Sequence, residues 1–257
     1  MRILVVPDAE AVGRRAAALV ADLVAAHAAS GRKTVLGVAA GATPIGLYRQ
    51  LTARVAAGLD FSRVAAFALD EYLGLPPDHP ALFARCFEAH LPPCALTLIA
   101  SRPAGDLDTY CAGYEQTIAA AGGVDLQLLG IGGNGHIGFN EPGSSLGGRT
   151  RPVALSAETR AANAGAFAPG EAAPTAAITM GIGTILEARR ILLLATGAAK
   201  AAAVAAAVEG PLTAHLPASA LQLHPDATLV LDEAAAARLT LRAHYDAEAA
   251  LPLRLGL

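Results

Sequence analysis

The stretch LQLLGIGGNGHIGFNEP, residues 126–142, indicates the fold of the chain more clearly than any other segment. It begins with a nearly continuous apolar run, 126–131, which is typical of a strand that is buried on both faces of a parallel sheet. The run ends in a loop of closely spaced glycines, which allow positive φ angles and close approach of a ligand to the backbone. In open parallel sheets, ligands bind at loops that follow the carboxyl ends of strands. The stretch therefore predicts an α/β fold with a ligand site after this strand.

Short strand-like runs alternate with longer helical runs on both sides of this stretch. Strands are predicted at 3–6, 34–39, 64–69, 126–131, 191–195 and 228–231, and helices at 9–29, 44–58, 107–121, 199–208 and 218–223. This alternation predicts a Rossmann-like three-layer α/β fold, in which helices flank a mainly parallel central sheet. No Pro-, Gly- or Ser-rich linker divides the chain, so residues 1–257 are predicted to form a single domain.

The composition argues against a nucleic-acid partner. Of the 257 residues, 54% are hydrophobic and 16% are charged, a balance typical of a folded chain. The formal net charge is −3, and no run of Lys or Arg offers a basic surface. The chain has no Trp and only 4% aromatic residues, so aromatic stacking platforms for single strands are not expected either.

The sequence also predicts no membrane association. The mean hydropathy is +0.44, but uncharged stretches such as 34–48 and 172–186 are about 15 residues long, shorter than a spanning helix. The apolar run near the start is too short for a signal peptide. Three cysteines, Cys86, Cys94 and Cys111, are odd in number and lack metal-ligand spacing. We therefore expect reduced thiols, no metal site and a cytoplasmic protein.

Two loops are candidates for binding an anion. The small-residue turn GVAAGATP, 37–44, follows a predicted strand and leads into a helix, so backbone N–H groups of Gly41, Ala42 and Thr43 are candidates for binding phosphate. An ordinary strand-to-helix turn explains the same pattern. Lys200 follows another strand and enters a helix, where its charge could bind the same phosphate. Alone, it is equally explained as a solvated surface lysine.

Acid/base candidates follow two strands. Asp70 and Glu71 come directly after an apolar strand, where a carboxylate can act as a general base, although Asp is also a common helix N-cap. The glycine-rich loop carries Asn134, His136 and Glu141 within eight residues. A histidine exchanges protons near neutral pH, and a carboxylate can orient it. This loop favours a catalytic role over a purely structural one, because so many glycines cost conformational entropy on folding.

Taken together, these loops resemble the glucosamine-6-phosphate deaminase family, in the wider group that includes 6-phosphogluconolactonase. The resemblance runs essentially end to end. It is carried by LDEYLGL at 69–75, the block 130–146, ITMGIGTIL at 178–186, Lys200 and ALQLHP at 220–225. The segment GHIGFNEP, 135–142, is the most specific part, since a lactonase usually continues after Gly-His with a Ser-Leu-Phe-Pro type of sequence. This difference favours a deaminase over a lactonase.

The resemblance implies an enzyme that converts an amino-sugar phosphate and water to a ketose phosphate and ammonia, with no metal or organic cofactor. It implies that Asp70 moves a proton between C2 and C1 of the sugar. His136 would catalyse opening of the sugar ring, supported by Glu141 and Asn134. Because the family includes monomers and hexamers, a homo-oligomer is compatible with the resemblance.

Three positions depart from the family pattern. Many members carry Asp where this chain has Asn134. The family motif Ala-Asn-x-Arg-Phe corresponds to ANAGAF at 162–167, so Gly165 replaces an arginine that grips the phosphate, and Arg160 is a candidate substitute. Regulated members pair the arginine at Arg151 with a lysine where this chain has Val153. We therefore expect no activation by N-acetylglucosamine 6-phosphate.

Two alternatives to a deaminase stay open at this point. Gly165 motivates a lactonase or an isomerase for a different phosphorylated sugar. A non-catalytic sugar-phosphate sensor is the other alternative, because the same fold serves as the effector domain of some repressors. Those proteins normally carry a helix-turn-helix before the fold, whereas this sequence begins with its first predicted strand.

Overall fold

A computed structural model describes residues 1–251 of the chain. Its strands are β1 Arg2–Val6, β2 Thr34–Val38, β3 Val64–Ala68, β4 Asp70–Tyr72, β5 Ala95–Thr97, β6 Leu126–Gly130, β7 Arg151–Ala154, β8 Ala176–Thr179, β9 Ile191–Ala195 and β10 Ala227–Asp232. Its α-helices are α1 Ala9–Ala29, α2 Ala42–Ala56, α3 Phe83–His90, α4 Leu107–Ala120, α5 Ala157–Asn163, α6 Ile182–Leu186, α7 Ala201–Glu209, α8 Glu233–Ala236 and α9 Arg242–Ala249. Short 3₁₀ segments cover Ala164–Ala166, Ala198–Lys200 and Pro217–Leu223.

The strand that precedes the glycine-rich loop, β6, lies in the middle of a seven-stranded sheet. The strand order is β1-β10-β9-β6-β2-β3-β5, and all six neighbouring pairs are parallel. All six strands predicted from apolar runs belong to this sheet. The α/β fold with a parallel central sheet is therefore confirmed.

Alternate residues of the central strands pack into two cores, one on each face of the sheet. In β9, Leu192 lies in the core that contains Val20 of α1. Its neighbour Leu193 lies in the opposite core, with Tyr114 of α4 and Val204 of α7. Because side chains alternate along a strand, a strand apolar at every position needs a helical layer on both faces. The three layers follow directly from this pattern.

A second, three-stranded antiparallel sheet lies beside the carboxyl edge of the first, with strand order β4-β8-β7. A hydrogen bond from the Leu69 N–H to the Val38 carbonyl oxygen, 2.8 Å long, links the start of this region to the end of β2. The Met180 N–H also donates to the Leu69 carbonyl oxygen, at 2.8 Å. The small sheet thereby holds residues 69–72 over the ends of the central strands.

The structure excludes one alternative that the sequence left open and corrects one local prediction. Asp70 is not a helix N-cap, because it begins β4 and pairs with Thr179 of β8. Residues 218–223 are not an α-helix but part of a 3₁₀ segment, in which the Ser219 hydroxyl bonds the backbone of Thr213. Within residues 1–251, no helix combines the length and the apolar character needed to cross a bilayer.

Candidate active site

Loops that follow β2, β6 and β9, together with the start of β4, surround one cavity of about 340 Å³ at the carboxyl edge of the sheet. The three strands are direct neighbours in the order β9-β6-β2, so their loops meet at the same place. The predicted residues that line the cavity are Gly41, Ala42, Thr43, Asp70, His136 and Lys200. Asn134 and Glu141 do not line the cavity but contact His136 from behind.

The turn after β2 presents a helix N-terminus to the cavity. Gly41 is the N-cap of α2, and no side chain caps this end of the helix. The first N–H groups of a helix have no partner within it and carry a partial positive charge. Because Ala42 and Thr43 begin the helix at the cavity wall, the turn can bind an anion through its backbone.

Lys200 approaches the same cavity from the loop after β9. Among residues 1–251, it is the only lysine or arginine that lines the cavity. The loop is fixed by Asp232 at the end of β10, whose carboxylate accepts a hydrogen bond from the Gly197 N–H at 2.9 Å and caps α8 through the Ala235 N–H at 2.7 Å. Burial lowers the pKa of Lys200. Asp232 was not predicted as a site residue, although an Asp directly before an alanine-rich segment is a recognisable N-cap signal.

Asp70 is buried, with 6% of its surface exposed, and its carboxyl group lines the cavity. Burial, and then the negative charge of Glu71, raise the pKa of Asp70 to about 8. Gly138 of the glycine-rich loop has φ 56° and lies so close that a Cβ there would be 2.8 Å from Thr179 Oγ1 and 3.3 Å from Asp70 Oδ2. Only glycine fits this approach, which keeps the loop packed against the buried carboxyl group.

His136 forms a second acid/base centre with Glu141 and Asn134. The His136 Nδ1 atom lies 3.8 Å from Glu141 Oε2, and Asn134 Nδ2 donates to that same oxygen at 3.0 Å. Asn134 Oδ1 accepts a hydrogen bond from the His136 backbone N–H at 3.2 Å. Gly132 allows the imidazole to pack on the loop, because a Cβ there would be 2.3 Å from ring atoms of His136.

The protonation states of His136 and Glu141 are controlled differently from that of Asp70. Burial lowers the pKa of His136, against the opposing charge of Glu141. Burial by itself favours a neutral Glu141, but hydrogen bonds from Asn134 and Ser156, together with the charge of His136, hold the pKa of Glu141 below its ordinary value. A fixed carboxylate beside a neutral imidazole is an arrangement that can accept a proton and then stabilise it.

Helix α5 closes the cavity with residues that were not predicted. Thr159, Ala162 and Asn163 line the cavity. Ser156 caps α5 by accepting from the Thr159 N–H at 3.1 Å, and its hydroxyl also donates to Glu141 Oε1 at 3.1 Å. The helix is thus fixed to the glycine-rich loop through its N-cap. A Ser followed three residues later by Thr was the available signal, but it locates a helix start and not a cavity.

The position that departs most from the family pattern lies just beyond this helix. Gly165 is exposed in the 3₁₀ segment Ala164–Ala166. Arg160, the candidate substitute, is not among the residues that line the cavity. In the described part of the chain, the positive charge available to an anion at this wall is therefore that of Lys200.

Comparison with known proteins identifies the family of the chain. The sequence profile of the glucosamine-6-phosphate isomerases/6-phosphogluconolactonase family matches residues 7–230. A glucosamine-6-phosphate deaminase of Streptomyces avermitilis is 50% identical over 254 residues, which cover 95% of each chain. The corresponding protein of Cutibacterium acnes is 46% identical over 252 residues, again 95% of each chain.

Solved structures show the same relationship. A monomeric glucosamine-6-phosphate deaminase superposes with a TM-score of 0.87 at 39% identity, covering 93% of this chain and 100% of the other. The 6-phosphogluconolactonase of Trypanosoma brucei shares the fold at 18% identity, with a TM-score of 0.73 and coverage of 93% and 98%. The chain belongs to the family of glucosamine-6-phosphate isomerases and 6-phosphogluconolactonases.

Proposed function

We propose that the chain converts glucosamine 6-phosphate and water to fructose 6-phosphate and ammonia, without a metal or an organic cofactor. The observation that carries this proposal is the pairing, at one cavity, of a buried carboxyl group with a high pKa and a separate His136–Glu141 centre, next to a helix N-terminus. The names of the relatives that are 46–50% identical support the same reaction. The free cysteines of the described chain are compatible with a cytoplasmic site of action.

The phosphate of the substrate binds between the turn after β2 and Lys200. Backbone N–H groups of Gly41, Ala42 and Thr43 donate to phosphate oxygens, and the ammonium group of Lys200 supplies a full positive charge. This contact fixes one end of the sugar. The reacting carbons C1 and C2 then lie over Asp70 and His136, at the other walls of the cavity.

His136 opens the sugar ring. It transfers the proton of the C1 hydroxyl group to the ring oxygen, which breaks the bond between C1 and that oxygen and leaves an open-chain aldehyde. Glu141 stabilises the imidazolium that forms during the transfer, and Asn134 holds Glu141 and the loop in place. Neutral imidazole is the form required to take the first proton, and burial favours that form.

Asp70 then moves a proton from C2 to C1. As a carboxylate it removes the C2 proton, and O1 gains a proton as the enolamine forms. As a carboxylic acid it then returns its proton to C1, and the nitrogen loses a proton, equal to the one gained by O1, which leaves an imine at C2. Water adds to the imine, and ammonia leaves to give the ketone of fructose 6-phosphate. A carboxyl group with a pKa of about 8 suits this task, because it both takes and returns a proton near neutral pH.

One observation favours a second candidate, a reaction on a different phosphorylated sugar. Gly165 stands where the family pattern has a phosphate-binding arginine, and Lys200 is the only lysine or arginine lining the described cavity. Loss of one charge-assisted contact costs about 1.5–3 kcal/mol of ligand binding. This departure from the family pattern is why a different phosphorylated sugar, such as 6-phosphogluconolactone, is the second candidate.

The test is to incubate the protein with glucosamine 6-phosphate and to measure both ammonia and fructose 6-phosphate. Equal amounts of both products are expected from the wild type, with a loss of about 10³-fold in Asp70→Asn. The exposed Asp78→Asn serves as a matched control and should keep wild-type turnover. A folded wild-type protein that releases neither product, but hydrolyses 6-phosphogluconolactone, would establish the second candidate instead.

A further inference from the structure

Glu71, next to the proposed base, is a buried carboxylate that the reaction as described does not use. It is 2% exposed. Its Oε1 atom accepts hydrogen bonds from the backbone N–H groups of Tyr72 at 2.9 Å and Phe83 at 3.1 Å, and Oε2 accepts from the N–H of Ala84 at 3.0 Å. Burial raises the pKa of Glu71 above its ordinary value, but the three N–H donors oppose that shift by stabilising the charged form, whereas no donor opposes the rise to about 8 at Asp70.

The three hydrogen bonds also join β4 to the first turn of α3. The N-cap of α3 is Leu82, whose side chain cannot accept a hydrogen bond. Glu71 therefore supplies from another element the capping acceptor that this eight-residue helix lacks. A negative charge at a helix N-terminus is favourable for the helix as well as for the carboxylate.

The helix turn that Glu71 holds forms part of the cavity wall. Phe83, the first residue of α3, lines the cavity and stacks on Phe139 of the glycine-rich loop, with ring centroids 5.7 Å apart. It also packs against Tyr72, at 4.9 Å. The bond from the Phe83 N–H to Glu71 thus places an aromatic wall residue relative to β4.

Asp70 is in the opposite electrostatic situation. Consecutive residues of a strand point to opposite faces, so Asp70 faces the cavity while Glu71 faces α3. The carboxyl group of Asp70 accepts no hydrogen bond from any described residue, and the charge that acts on it is that of Glu71. The remaining groups that face it are neutral or lie across the cavity: Tyr72 of β4, Tyr48 of α2, Tyr114 of α4, Thr179 of β8, His136 and Lys200.

We propose that Glu71 is a positioning residue that keeps a fixed negative charge behind Asp70 and anchors Phe83 in the cavity wall. Between two adjacent carboxyl groups, the one with three N–H donors retains the charge and the one without donors binds the proton. Asp70 is thereby the carboxyl group that exchanges a proton with the substrate. This inference rests on the proposed role of Asp70 as the base.

The variant Glu71→Gln removes the charge and retains the side-chain length. We expect the acid limb of the pH profile of kcat/KM to move to lower pH by about one unit, since a like charge no longer opposes ionisation of Asp70. In Glu71→Asp the charge remains, so the limb should stay at its wild-type position while the shorter side chain weakens the anchor and raises KM. If Glu71 had a purely structural role, both variants would have lower rates, and the acid limb would stay at its wild-type position in both. That result would overturn the proposal.

Glu115→Gln is a matched control for the loss of a hydrogen-bonded carboxylate elsewhere. Glu115 accepts hydrogen bonds from Thr150 and Thr184 and pairs with Arg149, away from the cavity. Its replacement should lower stability without moving the acid limb. A limb that moves equally in Glu115→Gln and Glu71→Gln would overturn the proposal, because the shift would then not come from the charge next to Asp70.

A titration of the wild-type protein tests the inference without turnover. In protein labelled with ¹³C at the Asp and Glu carboxyl carbons, with Asp70→Asn and Glu71→Gln used for assignment, Glu71 should titrate at lower pH than Asp70. If Glu71→Gln does not fold, Glu71→Asp supplies the assignment. The reverse order would overturn the inference. Absence of ammonia release from glucosamine 6-phosphate would instead contradict the proposed function and leave this titration order as a separate result.

Discussion

Asp70 and Glu141 are two carboxyl groups of one site, and they differ in their surroundings. Asp70 is 6% exposed, and its carboxyl group accepts no hydrogen bond from the described residues. Burial and the charge of Glu71 raise its pKa to about 8. The Glu141 side chain is 15% exposed and accepts hydrogen bonds from Asn134 and Ser156. Although burial opposes ionisation, these hydrogen bonds and the charge of His136 hold its pKa below its ordinary value.

The difference separates two chemical tasks between residues of the same charge type. A carboxyl group without donors in an apolar wall binds and releases its proton near neutral pH, which is what a group that moves protons must do. In the proposed reaction, a carboxylate held by donors keeps its charge and stabilises the imidazolium of His136. The surroundings, and not the residue type, assign the two roles.

The largest expected effect concerns stability and has a sign that distinguishes the two carboxyl groups. The folded-state pKa of Asp70, about 8, lies above the ordinary value of 3.8. The folded protein therefore binds the proton more tightly, and its stability falls as pH rises between these two values. Asp70→Asn has no such proton, so its free energy of unfolding relative to wild type should increase by about 2–4 kcal/mol from pH 5 to pH 8.

Urea unfolding at the two pH values measures this difference. The exposed Asp78→Asn provides the control, and its difference from wild type should not change with pH. If the difference between Asp70→Asn and wild type were the same at pH 5 and pH 8, Asp70 would have an ordinary pKa, and the contrast with Glu141 would disappear.

Lys200 tests whether the two centres are electrostatically independent. Its charge lowers the pKa of His136 but does not contribute to that of Asp70. Lys200→Met should raise KM by about 10- to 100-fold, because a charge-assisted phosphate contact is lost. In the pH profile of the steady-state rate, the limb set by ionisation of His136 should shift to higher pH. The limb set by Asp70 should not shift.

The exposed Lys33→Met is the matched control for this experiment and should retain the wild-type KM and both limbs. Steady-state rates measured across pH for the three proteins supply both readouts. Movement of both limbs in Lys200→Met would mean that the two centres respond to one shared field, contrary to the comparison above.

The sequence predicted the large sheet because its strands carry their own signal. β9 is apolar at each of its five positions, Ile191–Ala195, and such a run requires burial on both faces wherever it is placed. The small sheet could not be predicted in this way. β4 consists of Asp70, Glu71 and Tyr72, and β7 contains Pro152, so neither has a strand-like composition. Their strands form because each pairs with β8.

The candidate site was predicted to a similar extent and for similar reasons. The residues found from the sequence, such as His136 and Asp70, follow strands whose ends are predictable. Thr159 and Asn163 were missed, because they enter the cavity from α5, which packs over it through long-range contacts. The same limit explains why Asp70 was compatible with an N-cap: its pairing with Thr179 joins residues more than 100 positions apart.

Glu141→Gln should have the opposite sign from Asp70→Asn. The depressed pKa of Glu141 contributes stability above the ordinary value of 4.5, and this contribution is lost as pH falls through the folded-state pKa. The variant should lose about 1–2 kcal/mol of unfolding free energy at pH 7, because charge-assisted hydrogen bonds are removed, and the loss should shrink below about pH 4.5. Unfolding of Asp22→Asn, exposed in the middle of α1, measured in parallel, should match wild type.

The smallest effect is expected at Asn134, which touches only one of the two centres. Its Nδ2 atom donates to Glu141 Oε2, and its Oδ1 atom accepts from the His136 N–H. In Asn134→Asp the acceptor remains, but a second carboxylate near His136 raises the pKa of the imidazole. We expect kcat to change by less than about tenfold, which is below the roughly 10²- to 10⁴-fold contribution of a catalytic acid or base itself. The limb of the pH profile that His136 sets should shift to higher pH. The Asp70 limb should not move, because Glu71 remains the charge that acts on it. Displacement of the Asp70 limb in this variant would show that the second centre also sets the basicity of Asp70, and the separation of roles would then have to be abandoned.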